Sequence, residues 1–421
     1  MKRGLVWFRN DLRLRHNATL QQALRECDEI VPLYVFDSRH YENTTLGFPK
    51  IGAHRAQFIH ESVANLRQNI KDRSGALVVQ LGHTEEVVRQ LHSFYQFDAI
   101  YTTAEVTREE KQMERAVENL GLDLQRVWNS TLYHFDDLPM PVEEVPQVYT
   151  AFRKKVEKQA TIRSEIPTPD IIPVPQNIEE KPLPTLEDLG LSAPEKDGRA
   201  VLHFKGGEDE AWLRLEHYFW EGDHLQQYKK TRNGLLGADF SSKFSAWLAQ
   251  GCIAPVSIYR QVKEYEQQRV KNSSTYWLIF ELIWRDFFRF IALKEGNAFF
   301  KVPQDFEPKV HPDFEKWRVG ATGQDFVDAN MQELMHSGYM SNRGRQNVAS
   351  YLVKDMGQSW YAGALWFESQ LIDYDVCSNY GNWAYVAGVG NDPRENRYFN
   401  VAGQAERYDG NGEYRGYWLI R

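Results

Sequence analysis

The sequence has little cysteine, no glycine-rich dinucleotide signature and no long apolar run, and each absence excludes a class of protein. Cys27, Cys252 and Cys377 are scattered, with neither zinc-ligand spacing nor a disulfide framework. A reducing, cytoplasmic location fits this usage, and no metal site is expected. No apolar run is long enough to span a membrane. The pattern GxGxxG is missing, so nothing indicates a nicotinamide cofactor.

Charge and aromatic content are informative in a different way. The net charge of -8 argues against a protein that coats nucleic acid, although one local basic groove is compatible with it. Aromatic residues form 13% of the chain and include 12 tryptophans, more than an ordinary core needs. Core packing accounts for most of them, and a few are available as electron relays or stacking platforms.

The N-terminal part, residues 1–130, alternates short apolar runs with helical patterns. The runs predict buried parallel strands at residues 4–8, 29–36, 76–81 and 99–102. This alternation predicts an α/β domain with a doubly wound parallel sheet, whose ligand site lies at the carboxyl ends of the strands. A chain of 421 residues exceeds one ordinary core, so a second domain is expected.

A proline-rich segment separates the two expected domains. Ten prolines lie between Pro139 and Pro194, which excludes long helices and central strands apart from one helix near residues 148–158. We interpret residues 131–199 as an interdomain connector on the surface, with disorder as the alternative. Residues 200–421 show apolar spacing near 3.6 and predict an all-α domain, in which cofactor sites form between facing helices.

The most informative segment spans residues 339–400, where charged and amide groups are mixed with aromatic ones. Each polar group that such a segment buries needs a partner, so a plain core is an unlikely use of it. We interpret the segment as a pocket for a large, flat, polar cofactor; the alternative is a polar rim on a helical domain. The polar members are Arg343, Arg345, Asp373, Asp375, Asn379 and Asn382.

Several long strings, in order, resemble the photolyase/cryptochrome family and most closely its cryptochrome DASH branch. The strings are GLVWFRNDLRLRHN, TRNGLLGADFSSKFSAWLAQGCIAP, SNRGRQN, DYDVCSNYGNW and GVGNDPRENRYFN. Together they span almost the whole chain. The resemblance implies a monomer with an N-terminal antenna domain and a C-terminal helical domain that binds FAD.

The FAD phosphates are expected near a run of serines. Hydroxyl groups of Ser241, Ser242 and Ser245 precede a helical pattern and suit a diphosphate, although ordinary helix capping explains them equally well. The resemblance places the FAD phosphates here, with Tyr228 nearby. Lys243 would add positive charge.

The flavin ring is expected beside four residues of the C-terminal strings. The resemblance implies that Arg345 and Asp373 form an ion pair next to the ring, where fixed charges tune its redox state. Asp375 would face the pyrimidine edge, and Asn379 would face the flavin N5. A structural salt bridge and a turn or capping asparagine are the alternatives.

Two tryptophans match the family's electron relay. Trp383 and Trp360 correspond to its inner and middle members, while the outer position holds Glu307, which cannot be oxidised in its place. Tyr380 or Tyr385 could complete the route. The alternative is that both tryptophans only pack in the core.

The substrate face begins with Glu281 and Trp284, which lie three residues apart on one face of a predicted helix. A carboxylate and an indole together can bind a base drawn out of a duplex, while the alternative is an ordinary amphipathic edge. In photolyases the matching residues bind the cyclobutane pyrimidine dimer. Asn342 and Arg343 match a substrate-side pair, and Arg232 matches a phosphate-contacting arginine.

Two residues that differ from those of duplex-acting photolyases predict whether single-stranded or duplex DNA is the preferred substrate. Gln346 and Tyr385 stand where photolyases acting on duplex DNA carry Met and Trp, which weakens the apolar clamp on a flipped dimer. Single-stranded DNA is therefore the expected partner, with RNA as the alternative. The string SNRGR contains no histidine, which disfavours repair of (6-4) photoproducts.

The family often holds a second chromophore, such as 5,10-methenyltetrahydrofolate, between its domains. Glu105 and Lys301 fall near the matching positions, although each alone is typical of a solvent-exposed charge.

The resemblance therefore predicts a FAD-dependent, blue-light-driven lyase that repairs pyrimidine dimers in single-stranded DNA by electron transfer. One alternative is a blue-light photoreceptor without repair, which normally has a C-terminal signalling tail that we do not expect here. The other is a regulator that binds DNA or RNA and has lost repair; Glu281, Trp284, Asn342 and Arg343 argue against it.

Overall fold

The computed structural model describes residues 1–391 and 398–419. Residues 392–397 of the string GVGNDPRENRYFN, together with residues 420 and 421, lie outside the described part.

Within the described residues, five parallel strands form one sheet in the order β3-β2-β1-β4-β5. The four predicted strands are confirmed. The last strand, β5, was not predicted, because it lies at the sheet edge, most of its residues are polar and none of them is buried. The strands are β1 (Arg3–Phe8), β2 (Glu29–Asp37), β3 (Val78–Gly82), β4 (Ala99–Thr103) and β5 (Asp123–Val127).

Helices cover both faces of this sheet, which confirms the doubly wound α/β prediction. Alternate side chains of β1 point to opposite faces: Val6 and Phe8 pack with the first two helices, while Leu5 and Trp7 pack with the next two. These helices are α1 (Ala18–Glu26), α2 (Ala53–Lys71), α3 (Thr84–Tyr95) and α4 (Arg108–Glu118).

The proline-rich connector is packed rather than disordered. Ile172 is fully buried, and its N–H donates to the carbonyl of Arg73 at 2.9 Å. The carbonyl of Pro173 accepts from the N–H of Ile30, also at 2.9 Å, at the start of the β2 strand. The expected helix forms as α5 (Tyr149–Gln159). The domain boundaries at residues 130 and 199 stay predictions.

Helices dominate the rest of the described chain, as the apolar spacing predicts. They are α6 (Glu208–Glu216), α7 (Tyr228–Thr231), α8 (Ser245–Ala249), α9 (Pro255–Gln268), α10 (Ser273–Glu295), α11 (Asp313–Arg318), α12 (Asp325–Ser337), α13 (Asn342–Ser350), α14 (Trp360–Gln370), α15 (Val376–Ala387), α16 (Val401–Tyr408) and α17 (Glu413–Trp418). The helices α6 and α13 each run into a π-helical turn, at His217–Glu221 and Tyr351–Asp355. None of the described helices combines the length and apolar character needed to cross a membrane.

The sheet and the helical part meet closely. Asp286 of α10 is fully buried and accepts hydrogen bonds from the N–H groups of Leu132 (3.0 Å) and Tyr133 (2.9 Å). Gly251 has φ of 64°, and a Cβ there would overlap the backbone carbonyl of Asn10, so no side chain separates the two backbones.

Candidate functional site

The helical part contains a cavity of about 410 Å³, here called the large cavity. Its volume is within the usual range for ligand sites, about 300–1,000 Å³. Eight of the nine residues expected to bind the cofactor line it: Tyr228, Ser241, Ser242, Lys243, Ser245, Arg345, Asp373 and Asp375. The ninth, Asn379, lines a smaller adjoining cavity of about 90 Å³ together with Trp383. Arg345, Asp373 and Asp375 form a wall common to both.

The serine segment does not act as a helix cap. Helix α8 begins at Ser245, and its N-cap residue is Phe244, so Ser241 and Ser242 lie before the cap. Neither of their hydroxyl groups hydrogen-bonds to another described residue. Their carbonyls instead accept from the buried guanidinium of Arg214, at 3.2 Å and 3.0 Å. The hydroxyls are therefore available to a ligand in the cavity.

The surroundings of the Lys243 side chain indicate whether an anion fits the serine segment. Its side chain is buried, with the residue 5% exposed, and its backbone is left-handed with φ of 58°. The ammonium lies 3.5 Å from the hydroxyl of Tyr339 and packs over that ring, without a carboxylate among the described residues within ion-pair distance. A buried cation needs a counter-charge, so the donor set of this segment fits a phosphate.

The expected ion pair forms at the common wall. Arg345 Nη2 donates to both carboxylate oxygens of Asp373, at 2.8 Å and 3.0 Å, and Nε donates to the carbonyl of Met340 at 2.9 Å. Burial lowers the pKa of Arg345, but the adjacent Asp373 carboxylate outweighs burial and holds that pKa above its ordinary value. The pair thus places a fixed positive and a fixed negative charge at the cavity.

Asp375 and Asn379 are oriented by helix α15. Asp375 is its N-cap residue and accepts from the N–H of Ser378 at 2.8 Å. Burial raises the pKa of Asp375, but Arg285 and Arg289 outweigh it and keep that pKa low. The Asn379 side-chain nitrogen donates to the carbonyl of Ala364 at 3.1 Å, which leaves its oxygen as the group available to a ligand.

Arg285 belongs to this site, and the sequence analysis missed it. Its guanidinium lines the large cavity, lies 3.8 Å from Asp375 and donates to the carbonyls of Ser130 and Leu248. The available signal was an arginine directly after Trp284, within the largely apolar string ELIWRDFFRF.

The substrate-side carboxylate has a partner at the mouth of the cavity. Glu281 accepts from Arg232 at 2.6 Å and from the indole N–H of Trp277 at 3.0 Å. Burial raises the pKa of Glu281, and Arg232 offsets part of that rise. Trp284 stacks on Tyr149 with ring centroids 3.7 Å apart. Arg232, Glu281 and Trp284 line the same cavity as the expected cofactor residues.

The remaining substrate-side residues divide into two groups. Asn342, Gln346 and Tyr385 line the large cavity. Arg343 does not line it; its guanidinium donates to the Gln346 side-chain oxygen at 2.8 Å and to Asn233 at 3.2 Å. Arg343 therefore positions Gln346 in this structure.

Trp383 is surrounded by aromatic rings. It is 2% exposed, and its ring centroid lies 5.0 Å from Phe367 and 6.2 Å from the fully buried Trp317. Gly363 allows this packing, because a Cβ there would overlap the Trp383 ring. Trp360 lies one turn before Gly363 on helix α14 and thus on the same helix face.

The expected outer relay position is on the surface. Glu307 is exposed, and its neighbour Phe306 lies 5.5 Å from the ring of Tyr361. Tyr361 in turn lies 5.6 Å from Trp360 and 5.4 Å from Tyr380. A tyrosine, Tyr361, therefore adjoins Trp360 on this side, and Tyr380 lies next to it.

A second cavity, here called the interdomain cleft, has a volume of about 120 Å³. It lies at the carboxyl ends of β1 and β4, the neighbouring strands at which the strand order reverses, where such sheets bind ligands. Glu105 lines it and forms an ion pair with Arg289, whereas Lys301 is exposed outside the cleft and pairs with Glu295 at 2.6 Å. Several residues that line the cleft have buried donor groups without a hydrogen-bond partner among the described residues. They include Arg9, Arg108, Arg285, Arg289 and Ser130.

Comparisons with known proteins agree with this geometry. The family profile described as "FAD binding domain of DNA photolyase" matches residues 277–420, and the profile described as "DNA photolyase" matches residues 4–173. Cryptochrome DASH of Natronomonas pharaonis is 49% identical over 428 residues, covering 100% of this chain and 90% of that protein.

Two solved structures are similar over the full chain. A Synechocystis sp. cryptochrome is 47% identical with a TM-score of 0.94, covering 100% of this chain and 89% of that one. A class III photolyase from Agrobacterium tumefaciens is 26% identical with a TM-score of 0.82, covering 100% and 87%. The cofactor of the helical domain is FAD, as predicted, and the chain belongs to the cryptochrome DASH branch of the photolyase/cryptochrome family.

Proposed function

We propose that this protein is a monomeric cytoplasmic enzyme that repairs cyclobutane pyrimidine dimers in single-stranded DNA under blue light. The observation that carries the proposal is that one cavity is lined both by the expected FAD residues and by Arg232, Glu281 and Trp284. The free and buried state of all three cysteines is compatible with a reducing compartment. When bound and reduced, FAD would supply the electron that splits the dimer on excitation.

Glu281 and Arg232 would hold the dimer by its polar groups. Burial raises the pKa of Glu281 and so favours its protonated form, in which the carboxyl can donate to a dimer carbonyl. The Arg232 guanidinium, now paired with Glu281 at 2.6 Å, would exchange that contact for a DNA phosphate. Trp284 offers a stacking surface beside them.

Asn379 and the Arg345–Asp373 pair would fix the position of the cofactor. The Asn379 side-chain oxygen, left over after the nitrogen bonds to Ala364, can accept a hydrogen bond from a ring N–H. The ion pair adds opposite fixed charges at the wall between the two cavities. Lys243, Ser241 and Ser242 would bind the phosphates.

A repair assay tests this proposal. Purified protein is illuminated with dimer-containing oligonucleotides, single-stranded and duplex, and repair is followed by recovery of pyrimidine absorbance. We expect repair of the single strand, and about a tenfold to hundredfold loss in Glu281→Gln with an unchanged FAD content. The matched control is Glu264→Gln, a carboxylate on the exposed face of helix α9, which should leave repair unchanged.

Other results would decide against repair. If neither substrate is repaired but light changes the redox state of the flavin, the protein acts as a photoreceptor. If it binds single-stranded DNA or RNA without light-dependent repair, a regulatory role is the better interpretation.

We also infer that the interdomain cleft holds a second chromophore such as 5,10-methenyltetrahydrofolate. The supporting observation is the set of buried donor groups on arginines around the cleft, which a polar ligand would satisfy. Excitation spectra of protein loaded with the folate should show energy transfer to the flavin, and Glu105→Gln should weaken folate retention. Unchanged retention in that variant would place the folate elsewhere.

A further inference from the structure

Two imidazoles and a carboxylate converge at a partly exposed place next to the serine segment. His217 Nε2 lies 3.2 Å from Asp239 Oδ1, and His224 Nε2 lies 3.5 Å from Asp239 Oδ2. One possible ligand atom from each of the three residues lies within 4.8 Å of the others. None of these residues belongs to the large cavity or the interdomain cleft.

The local backbone departs from regular helix in order to bring the histidines together. His217 opens the π-helical turn that follows helix α6, and the N–H of Gly222 closes the turn on the His217 carbonyl at 2.8 Å. Asp223 then takes a left-handed conformation with φ of 52°. A Cβ at Gly222 would overlap the ring of His224, so glycine is needed for that ring to fold back toward His217. Such π-helical turns are common at functional sites.

His217 has an oxygen atom at each of its ring nitrogens. Nε2 faces Asp239, and Nδ1 lies 3.3 Å from Glu221 Oε2. A neutral imidazole carries only one N–H, so a proton on Nδ1 leaves a lone pair on Nε2 directed at a carboxylate oxygen. A cation between Nε2 and Asp239 would be bound by both that lone pair and the carboxylate. A ligating histidine whose other nitrogen donates to a carboxylate is the usual arrangement at protein metal sites.

Asp239 is fixed from its other side. Arg214, which is buried, donates to Asp239 Oδ1 at 2.8 Å and uses its remaining N–H groups on the carbonyls of residues 238, 241 and 242. The guanidinium occupies one acceptor position of Oδ1, which also faces His217, while Oδ2 faces His224. The side chains of His217, His224 and Asp239 are 44%, 35% and 31% exposed, so an ion can reach them from solvent.

These distances fit a tetrahedral ion. Metal–nitrogen and metal–oxygen bonds of about 2.0–2.2 Å give ligand–ligand separations of about 3.3–3.6 Å in a tetrahedron. The separations of 3.2 Å from His217 and 3.5 Å from His224 are close to this range, and each is measured to a different oxygen of Asp239, so the carboxylate would present one or both oxygens to the ion. Imidazole ligands with one carboxylate favour zinc and its neighbours over magnesium or calcium. We propose that His217, His224 and Asp239 bind one divalent ion of the zinc class, with water completing the coordination. Each ligating imidazole would be neutral and release any second proton to solvent on binding.

Calorimetry tests the site on the FAD-containing protein. Metal is first removed with EDTA, and the EDTA is then removed from the protein. Titration with zinc chloride should show one equivalent bound, and magnesium chloride should show none. Glu221 is left unchanged in all variants. We expect His217→Ala and His224→Ala each to weaken zinc binding by about tenfold or more. The control is His311→Ala, because His311 also pairs with a carboxylate, Asp313 at 3.1 Å, but does not belong to a described ligand cluster.

The outcome is decisive in either direction. Because both histidines are partly exposed, the variants should keep the wild-type thermal unfolding temperature in EDTA, which shows that they fold. A second readout uses cobalt, whose visible absorption on binding should be lost in His224→Ala. The proposal is overturned if zinc does not bind at one equivalent, or if both histidine variants bind it as tightly as wild type; the cluster is then a group of interacting polar side chains without a metal.

Discussion

Replacing Asp373 by Asn isolates the role of the ion pair at the common cavity wall. The substitution keeps the size of the side chain but removes the charge that pairs with Arg345, whose side chain is 24% exposed. Breaking a buried pair costs about 3–5 kcal/mol, and loss of one charge-assisted hydrogen bond about 1.5–3 kcal/mol. Because Arg345 keeps its bond to Met340 and some contact with water, we expect a loss of about 2–3 kcal/mol in the free energy of unfolding.

The variant should also bind FAD less tightly, because the Arg345 guanidinium at the cavity wall is no longer fixed. If about 1.4 kcal/mol of that positioning is expressed in binding, the dissociation constant rises about tenfold. Urea unfolding measures the first quantity. Flavin fluorescence during titration of the FAD-free protein measures the second.

A second ion pair provides the control. Arg415 and Asp409 lie 2.8 Å apart with side-chain exposures of 30% and 2%, nearly those of the cavity pair, but neither lines the cavity. Asp409→Asn should therefore destabilise the protein by a similar or larger amount and leave FAD affinity unchanged. Equal FAD affinity in Asp373→Asn, Asp409→Asn and wild type would refute the role assigned to the cavity pair.

Three further variants test separate parts of the structure. Glu307→Trp should speed photoreduction of the flavin in the presence of an external reductant, while Lys309→Trp, also exposed, should not; equally fast wild-type photoreduction would mean that tyrosines already complete the relay. Gln346→Met with Tyr385→Trp should raise repair of duplex dimers relative to single-stranded ones, and an unchanged ratio would contradict the clamp argument. Burial raises the pKa of Glu333 to about 7, so the folded state binds this proton more tightly than the unfolded chain does. The resulting stabilisation is present below about pH 4 and is lost as the pH rises toward 7, by about 3 kcal/mol, and Glu333→Gln should remove that part of the pH dependence in urea unfolding.

The sequence was sufficient for features that repeat along the chain. Apolar runs predicted β1 to β4, and helical spacing predicted the all-α character of residues 200–421, to which helices such as α9 belong. The edge strand β5 was missed because a strand with polar, exposed residues gives no apolar run. Helices α14 and α15 were interpreted only as a pocket, since their polar and aromatic residues obscure the periodicity.

Features made by tertiary contact could not be predicted in this way. Arg285 reaches both cavities because helix α10 passes between them, which no spacing rule reveals. The absence of a metal site was expected from cysteine spacing alone. His217, His224 and Asp239 have no ligand-like spacing in the sequence and meet only through a π-helical turn and a left-handed residue. Lys301 shows that a matching position in the sequence does not ensure a place at the site, because Lys301 lies outside the interdomain cleft.

The close contact between the sheet and the helical part would affect energy transfer between a pigment in the interdomain cleft and the flavin. Asn10 and Gly251 touch through backbone atoms, and Asp286 holds the N–H groups of Leu132 and Tyr133 without intervening water-exposed side chains. Resonance energy transfer depends steeply on the separation of two chromophores and on the angle between their transition dipoles. A pigment in the interdomain cleft would keep one separation and one angle to the flavin, so its excited state should decay with a single lifetime. Gly251→Ala would push the two backbones apart and broaden that decay into a distribution.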